Sequence, residues 1–204
     1  LERIEEIKLP NIRLKLLERL LRQQISDLSK INKVKAVEFI ERLNNLIKDY
    51  NDRSDDAVFA TEVMQAVTQG IKDMMQDVAN EKKNLPDGIN SYEEKAFYDA
   101  LTRPEMVRKC YTDEQFVALT KELTEVLRKN RTIDWRHKES ARAQMRVMIK
   151  RLLKKYKYPP EGAEEALQIV MAQCDNWAEN EDNYVETPVK LYDMNEPSIH
   201  YGMA

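Results

Sequence analysis

Residues that form turns are scarce in this sequence. Its 204 residues include four glycines and seven prolines, while hydrophobic residues make up 42% and charged residues 34%. This balance favours long helices over turn-rich sheets. A phosphate-binding loop needs several glycines close together, and Gly70, Gly88, Gly162 and Gly202 stand far apart. No stretch alternates steadily between polar and apolar residues, so we predict an all-α fold.

Cysteine and histidine are equally scarce. Cys110 and Cys174 have no CxxC spacing and are too few for a disulfide framework, which suits a reducing compartment. Cys174 lies on the apolar stripe of a predicted helix, so we expect a buried, inert thiol. Asp134 and His137 are three residues apart and could ligate a metal from one helix face, but the other histidine, His200, is far away in the tail. An N-cap is the better interpretation of Asp134.

We expect no catalytic, cofactor-binding or metal site in this chain. Glu93-Glu94-Lys95 is superficially similar to the acidic-then-basic end of metal-dependent nuclease motifs. The strands and the upstream aspartate that such sites require are not predicted here. Ser91 and Glu94 have capping-box spacing, so a capped helix start is the stronger interpretation.

Long apolar runs are also missing. No stretch approaches the roughly 20 residues that span a bilayer, and the N-terminus lacks the order of a signal peptide. We therefore expect a cytoplasmic protein with no membrane partner. The formal net charge is −3, so any attraction to nucleic acid or to an acidic surface has to be local.

Apolar residues recur at helical spacing in about seven segments, which predicts an irregular bundle of amphipathic helices. The first two segments could pair as a hairpin. Capping-box spacing marks two later helix starts, Ser91 with Glu94 and Thr112 with Gln115, and Pro160 suits the first turn of the last helix. Apolar stripes are predicted at Leu14, Leu17, Leu21 and Leu28; Ala36, Ile40, Leu43, Ile47 and Tyr50; Ala60, Val63, Val67, Ile71, Met74 and Val78; Phe116, Leu119, Leu123 and Val126; Ala141, Met145, Met148, Ile149 and Leu152; and Ala163, Leu167, Val170, Cys174 and Trp177.

The predicted organisation is one helical domain followed by a tail. The helical domain covers residues 1–179, with a possible internal boundary in the loop at residues 84–90, which contains Pro86 and Gly88. Beyond about residue 179 the helical periodicity is lost. Residues 180–204 therefore form an irregular acidic tail, poorly structured or packed on the domain.

Charge is unevenly distributed along the chain. Residues 128–157 carry twelve lysines and arginines against two acidic residues, and residues 158–204 carry ten acidic residues against Lys190 alone. On a helical wheel, four cations form a ridge along the face opposite the apolar stripe. This basic ridge consists of Arg142, Arg146, Lys150 and Lys154. With the neighbouring Arg151, its residues are the candidate partner-binding residues.

Three interpretations of the basic ridge stay open at this point. It could be a solvated helix face, partly neutralised by the acidic helix after Pro160. It could bind a negatively charged protein surface, or it could bind the phosphates of DNA. The ridge lacks the interleaved aromatic residues of single-strand binders.

Several stretches, in the right order and over most of the chain, resemble a known family. These stretches are residues 47–53 (IKDYNDR), 91–101 (SYEEKAFYDAL), 133–135 (IDW), 139–143 (ESARA), 150–153 (KRLL) and 158–160 (YPP). On them, the chain resembles the C-terminal helical region of type I restriction enzyme R subunits. Residues 180–204 do not share the pattern.

The resemblance implies a part of a larger machine. In that family the R subunit has a metal-dependent nuclease domain, two helicase-like domains that hydrolyse ATP to translocate DNA, and this helical region. The resemblance thus implies ATP and Mg²⁺ as cofactors of the parent subunit. It implies no cofactor for this fragment, since no nuclease or ATPase motif matches a position here. The implied partners are the modification methyltransferase and specificity subunits, with DNA bound through the whole complex.

Our leading hypothesis is a non-catalytic helical domain that docks the R subunit on the methyltransferase core. The alternative is a free-standing helical domain that binds nucleic acid with the basic segment 128–157. A third hypothesis, a metalloenzyme that uses Asp134 and His137, predicts stoichiometric bound metal.

Overall fold

A computed structural model describes residues 10–51, 57–130 and 138–180 of the chain. These residues form eight α-helices and no strand, so the all-α prediction is confirmed. Seven helices have at least eleven residues, and the sequence does not predict the four-residue helix that follows Pro104. The helices are α1 Pro10–Ser29, α2 Lys33–Asn51, α3 Ala57–Glu81, α4 Tyr92–Thr102, α5 Glu105–Arg108, α6 Asp113–Asn130, α7 Glu139–Lys155 and α8 Pro160–Glu179.

Helices α1, α2 and α3 pack around the first of two apolar cores. Each of the three contacts the other two, which confirms the predicted pairing of the first two segments. Leu17, Leu21 and Leu43 are almost completely buried at its centre. The buried members of this core are Leu14, Leu17, Leu21, Ile25, Leu28, Ala36, Phe39, Leu43, Val67, Ile71, Met74, Met75 and Val78.

The second core lies among α4, α6, α7 and α8, with α5 packed against α4 and α8. Eight of the eleven residues of α4 are buried. Phe97 of α4 meets Trp177 of α8 edge to face, with 5.9 Å between the ring centroids. Helix α4 is therefore the central element of this core.

The two capping boxes predicted from sequence are present. The Ser91 hydroxyl accepts a hydrogen bond from the Glu94 amide at 3.1 Å. At the start of α6, the Thr112 hydroxyl accepts from the Gln115 amide at 3.4 Å, and the Gln115 side chain accepts from the Thr112 amide at 3.1 Å. These bonds satisfy amides that a helix start otherwise leaves without partners.

Helix α7 ends in a Schellman motif. The Tyr158 amide donates to the Leu153 carbonyl at 2.8 Å, and the Lys157 amide donates to the Lys154 carbonyl at 3.0 Å. Lys157 occupies the left-handed position of this motif, with φ 56°, where glycine is the usual residue. Pro160 then begins α8 at its first turn, as predicted.

A buried polar junction connects the two cores. The amide of Gln173 in α8 bonds the turn between α1 and α2 twice: its oxygen accepts from the Lys33 amide at 3.0 Å, and its nitrogen donates to the Ile31 carbonyl at 2.9 Å. Beside it, Asn32 donates to Asp99 of α4 at 2.6 Å. All three junction side chains, Asn32, Asp99 and Gln173, are buried. The turn is thus held to the second core by hydrogen bonds rather than by apolar packing alone.

The carboxylate charge of Asp99 at this junction is only partly compensated by the groups around it. Burial raises the pKa of Asp99 to about 6, although the charge of Lys35 and the hydrogen bond from Asn32 act in the opposite direction. Burial alone would lower the pKa of Lys35, but its bond to Glu38 and the charge of Asp99 outweigh burial and raise it. Lys95, which is buried, pairs with Glu81 at the end of α3.

The chain passes from the first core to the second in the segment between α3 and α4. The predicted boundary at residues 84–90 falls in this segment, where Gly88 has φ 82°. Helix α2 also contacts α4 and α8, and Val34 of α2 is buried with the second core. One helical domain with a possible internal boundary stays a prediction, as does the acidic tail, whose residues 181–204 lie outside the described part of the chain.

Candidate interaction surface

Helix α7 carries the basic ridge, and the buried residues of α7 anchor the helix to the second core. Met145, Ile149, Leu152 and Leu153 are buried, at spacings that place them on one helical stripe. Tyr158, just after the helix, is buried and donates to the Leu101 carbonyl of α4 at 2.7 Å. Both ends of the buried stripe are thus fixed against the core.

The basic ridge does not run opposite the apolar stripe along its whole length. Arg142 is only 27% exposed and bonds Asp175 of α8 with both ends of its guanidinium, at 2.6 and 3.1 Å. This hydrogen-bonded pairing raises the pKa of Arg142. Residues four apart advance about 40° around a helix, so a ridge that begins beside the buried stripe reaches full exposure only after several residues.

Two further ion pairs hold α7 between its neighbours. Lys150 lies 3.2 Å from Glu164 of α8. Lys155 lies 2.6 Å from Glu122 of α6, and the bond to Lys155 lowers the pKa of Glu122. Each of these pairs is largely exposed, so each contributes little to stability. Two cations of the ridge, Arg142 and Lys150, are thus paired with acidic residues of the helix after Pro160.

The other three predicted contact residues take no part in these ion pairs. Arg146, Arg151 and Lys154 are exposed, and none lies within salt-bridge distance of a carboxylate among the described residues. Val147 is 46% exposed, one of three large apolar side chains that are exposed among the described residues. Around the helix it lies within about 40° of Arg151 and Lys154. Arg146 lies about 100° from Val147 and lines the groove between α7 and α8. We call Arg146, Val147, Arg151 and Lys154 the outer face of α7. It combines one exposed apolar side chain with three cations, of which Arg151 and Lys154 are the nearest to it around the helix.

The other candidate residues take structural roles or lie outside the described part. Cys174 is completely buried, as expected, and burial raises the pKa of its thiol. Glu93 pairs with Arg128 at 2.5 Å, and Glu94 caps α4 by accepting from the Asn90 amide at 2.8 Å. The capped helix start is therefore confirmed for this stretch.

Asp134, His137 and His200, considered as metal ligands, lie outside the described residues. Within the described residues, no group of three or more His, Cys, Asp and Glu is placed to hold a metal ion. In the same part of the chain, no helix combines the length and apolar character needed to cross a membrane.

Sequence reasoning missed the polar junction, which no motif marks. Asn32 lies in the turn before α2, whereas Gln173 is a single polar residue on an otherwise apolar stripe, between Val170 and Cys174. A polar residue on an apolar stripe is the signal that could have revealed the junction, because such a residue needs a hydrogen-bond partner when the stripe is buried.

These observations define the class of the molecule, an all-α protein with two helical cores and a cationic helix face. Residues 1–180 match the family described as "Type I restriction enzyme HindI endonuclease subunit-like, C-terminal". The chain is also 33% identical over 180 residues to the type I restriction enzyme HindI endonuclease subunit of Haemophilus influenzae. The chain belongs to this family, which comprises the C-terminal regions of type I restriction endonuclease subunits, and the resemblance noted in its residues is confirmed.

The relative is much longer than the matched region. The alignment covers 88% of this chain and 16% of the Haemophilus protein. No solved structure matches the chain.

Proposed function

We propose that this chain is the non-catalytic docking domain of a type I restriction endonuclease subunit and that it binds the modification methyltransferase core of the same complex. The parent subunit, by this proposal, carries the nuclease and the ATP-driven motor, which use Mg²⁺ and ATP, in residues outside this chain. The family match supports a place in such a complex.

The observation that carries the proposal is the outer face of α7. It combines the exposed Val147 with three exposed cations, and α7 itself is anchored to the core by a continuous buried stripe. An apolar centre with a charged rim is the usual composition of a protein–protein contact. A rigid helix presents these groups on a backbone that is already ordered before binding, so only the side chains lose freedom.

Val147 also distinguishes the two kinds of acidic partner. Phosphates of DNA would interact with Arg146, Arg151 and Lys154 but would gain nothing from a valine at the centre of the contact. A protein surface with carboxylates around an apolar patch would use both kinds of side chain. The outer face therefore favours a protein over a nucleic acid.

The test is calorimetric titration of the chain with the cognate methyltransferase, and in parallel with duplex DNA. The variant Arg146→Glu/Lys154→Glu should bind the methyltransferase at least about tenfold more weakly, because like charges then face each other across the contact. The matched control is Lys48→Glu/Lys109→Glu, which makes the same change in net charge at two exposed residues away from α7. Its affinity should stay close to that of the parent chain.

Other outcomes would count against docking through the outer face. Equal losses in the two variants would show that only net charge matters. Binding to DNA and not to the methyltransferase would assign the cations to phosphates. In both variants the helical circular dichroism signal should match that of the parent chain.

A further inference from the structure

The outer face of α7 has cations that the described part of the chain leaves without carboxylate partners, and the sequence that follows α8 is acidic. Residues 181–204 contain five acidic residues and one lysine. We propose that this acidic segment binds the outer face of α7 of its own chain and competes there with external acidic partners. The inference holds whether or not the methyltransferase is the external partner.

The acidic segment follows α8, and the direction of α8 determines from which end of α7 the segment would approach the outer face. Glu164 pairs with Lys150 and Asp175 pairs with Arg142, so α8 runs antiparallel to α7 and ends beyond the Arg142 end. The distance from there back to Lys154 is about 25 Å, at about 1.5 Å per helical residue. About eight extended residues cover it. Counted from residue 180, this reaches about residue 188, which lies between Glu186 and Asp193 in the sequence.

The composition of the segment fits both parts of the outer face. Its acidic residues are complementary to Arg146, Arg151 and Lys154. Apolar and aromatic residues stand next to those acids, with Val185 before Glu186 and Tyr192 before Asp193. Such side chains could cover Val147 while the carboxylates meet the cations. A segment that contained only acidic residues would be complementary to the cations but would leave Val147 uncovered.

The family match ends where this segment begins, at residue 180. The helical body is thus shared with relatives, whereas the acidic segment is not part of the matched region. Competition by the segment would therefore be an addition to the body rather than a requirement of its fold.

A zero-length carbodiimide, which joins amines to carboxylates in contact, tests the placement in the full chain. At low salt, Lys154 should become linked to Glu186, Asp193 or Glu196 within one molecule. The contact of Lys155 with Glu122, at 2.6 Å, is an internal positive control. Lys15 and Lys109 are exposed reference amines on other helices.

Three results of the cross-linking experiment would overturn the proposal. The first is linkage of Lys155 to Glu122 without linkage of Lys154 to the segment. The second is linkage of the segment to Lys15 and Lys109 as often as to Lys154. The third is linkage that joins only separate molecules.

Competition is tested by binding of a short duplex DNA, used only as a polyanion probe. One variant neutralises the five acids of the segment, and the control neutralises five exposed acids elsewhere: Glu41, Glu62, Asp73, Asp87 and Glu114. The first should bind the probe at least about threefold more tightly than the control, as expected if the segment covers the outer face about two thirds of the time. Adding Arg146→Glu/Lys154→Glu should abolish that difference. Equal affinities of the two neutralised variants would show that the segment does not compete.

Discussion

Asp99, at the junction between the two cores, should make the protein less stable as the pH rises. Burial raises its pKa to about 6 from an ordinary 3.8. The folded state therefore favours the protonated carboxyl more than the unfolded state does. Protonated Asp99 is fully accommodated below about pH 4, and the resulting stability is lost as the pH rises through about 6.

The magnitude follows from the difference between the two pKa values. A shift of about two units corresponds to about 3 kcal/mol between the protonated and ionised forms. Asp99→Asn keeps an acceptor for the Asn32 amide and removes the charge. The variant should therefore be more stable than the parent by about 3 kcal/mol near pH 8, with a difference that shrinks to a small fraction of this near pH 4.

Urea unfolding of both proteins across this pH range measures the difference directly. Titrating groups that do not interact with Asp99 contribute equally to parent and variant, so they cancel at each pH. Asp87→Asn, at an exposed loop position, is the control and should show no difference that depends on pH. A stability difference for Asp99→Asn that is absent at pH 8, or equal at both ends of the range, would refute the reasoning, since Asp99 would then be fully stabilised as a carboxylate.

Three further substitutions test packing and the backbone. Gly162→Ala places a methyl group 2.6 Å from Cγ2 of Val107 and should cost about 1–3 kcal/mol, a loss that Val107→Ala should partly relieve in the double variant by thermal unfolding. Lys157→Gly should add about 0.5–1 kcal/mol in urea unfolding because Lys157 has φ 56°, whereas Lys157→Ala should add nothing. Gln173→Leu removes two hydrogen bonds to the α1–α2 turn; thermal unfolding should show a loss of about 2 kcal/mol, and an unchanged melting temperature would contradict the role assigned to this amide.

The helical architecture could be predicted because local patterns determine most of it. The leucine stripe of α1 and the capping boxes at Ser91 and Thr112 depend on residues within one or two turns of each other. The short helix α5 escaped prediction because four residues show no periodicity. In α6, Leu127 rather than Val126 is completely buried, since adjacent residues differ by about 100° around a helix and the local pattern leaves the choice open.

The candidate surface was predictable only in part. Charge counts point to α7, and Arg146, Arg151 and Lys154 are indeed exposed. The pairing of Arg142 with Asp175 depends on how α8 lies against α7, which a helical wheel of α7 alone does not contain. The same reason hides the bond between Asn32 and Asp99, whose residues are 67 positions apart.

The bonds of Gln173 also bear on the order in which the protein folds during synthesis. Gln173 bonds groups 140 and 142 positions earlier in the chain, whereas the first core uses residues between Leu14 and Val78 only. Helices α1 to α3 can associate while the ribosome is still making the rest, because their contacts are comparatively local. The Ile31 and Lys33 backbone groups of their turn then stay open to water until α8 emerges, so synthesis of α8 completes both the second core and the attachment of the first core to it.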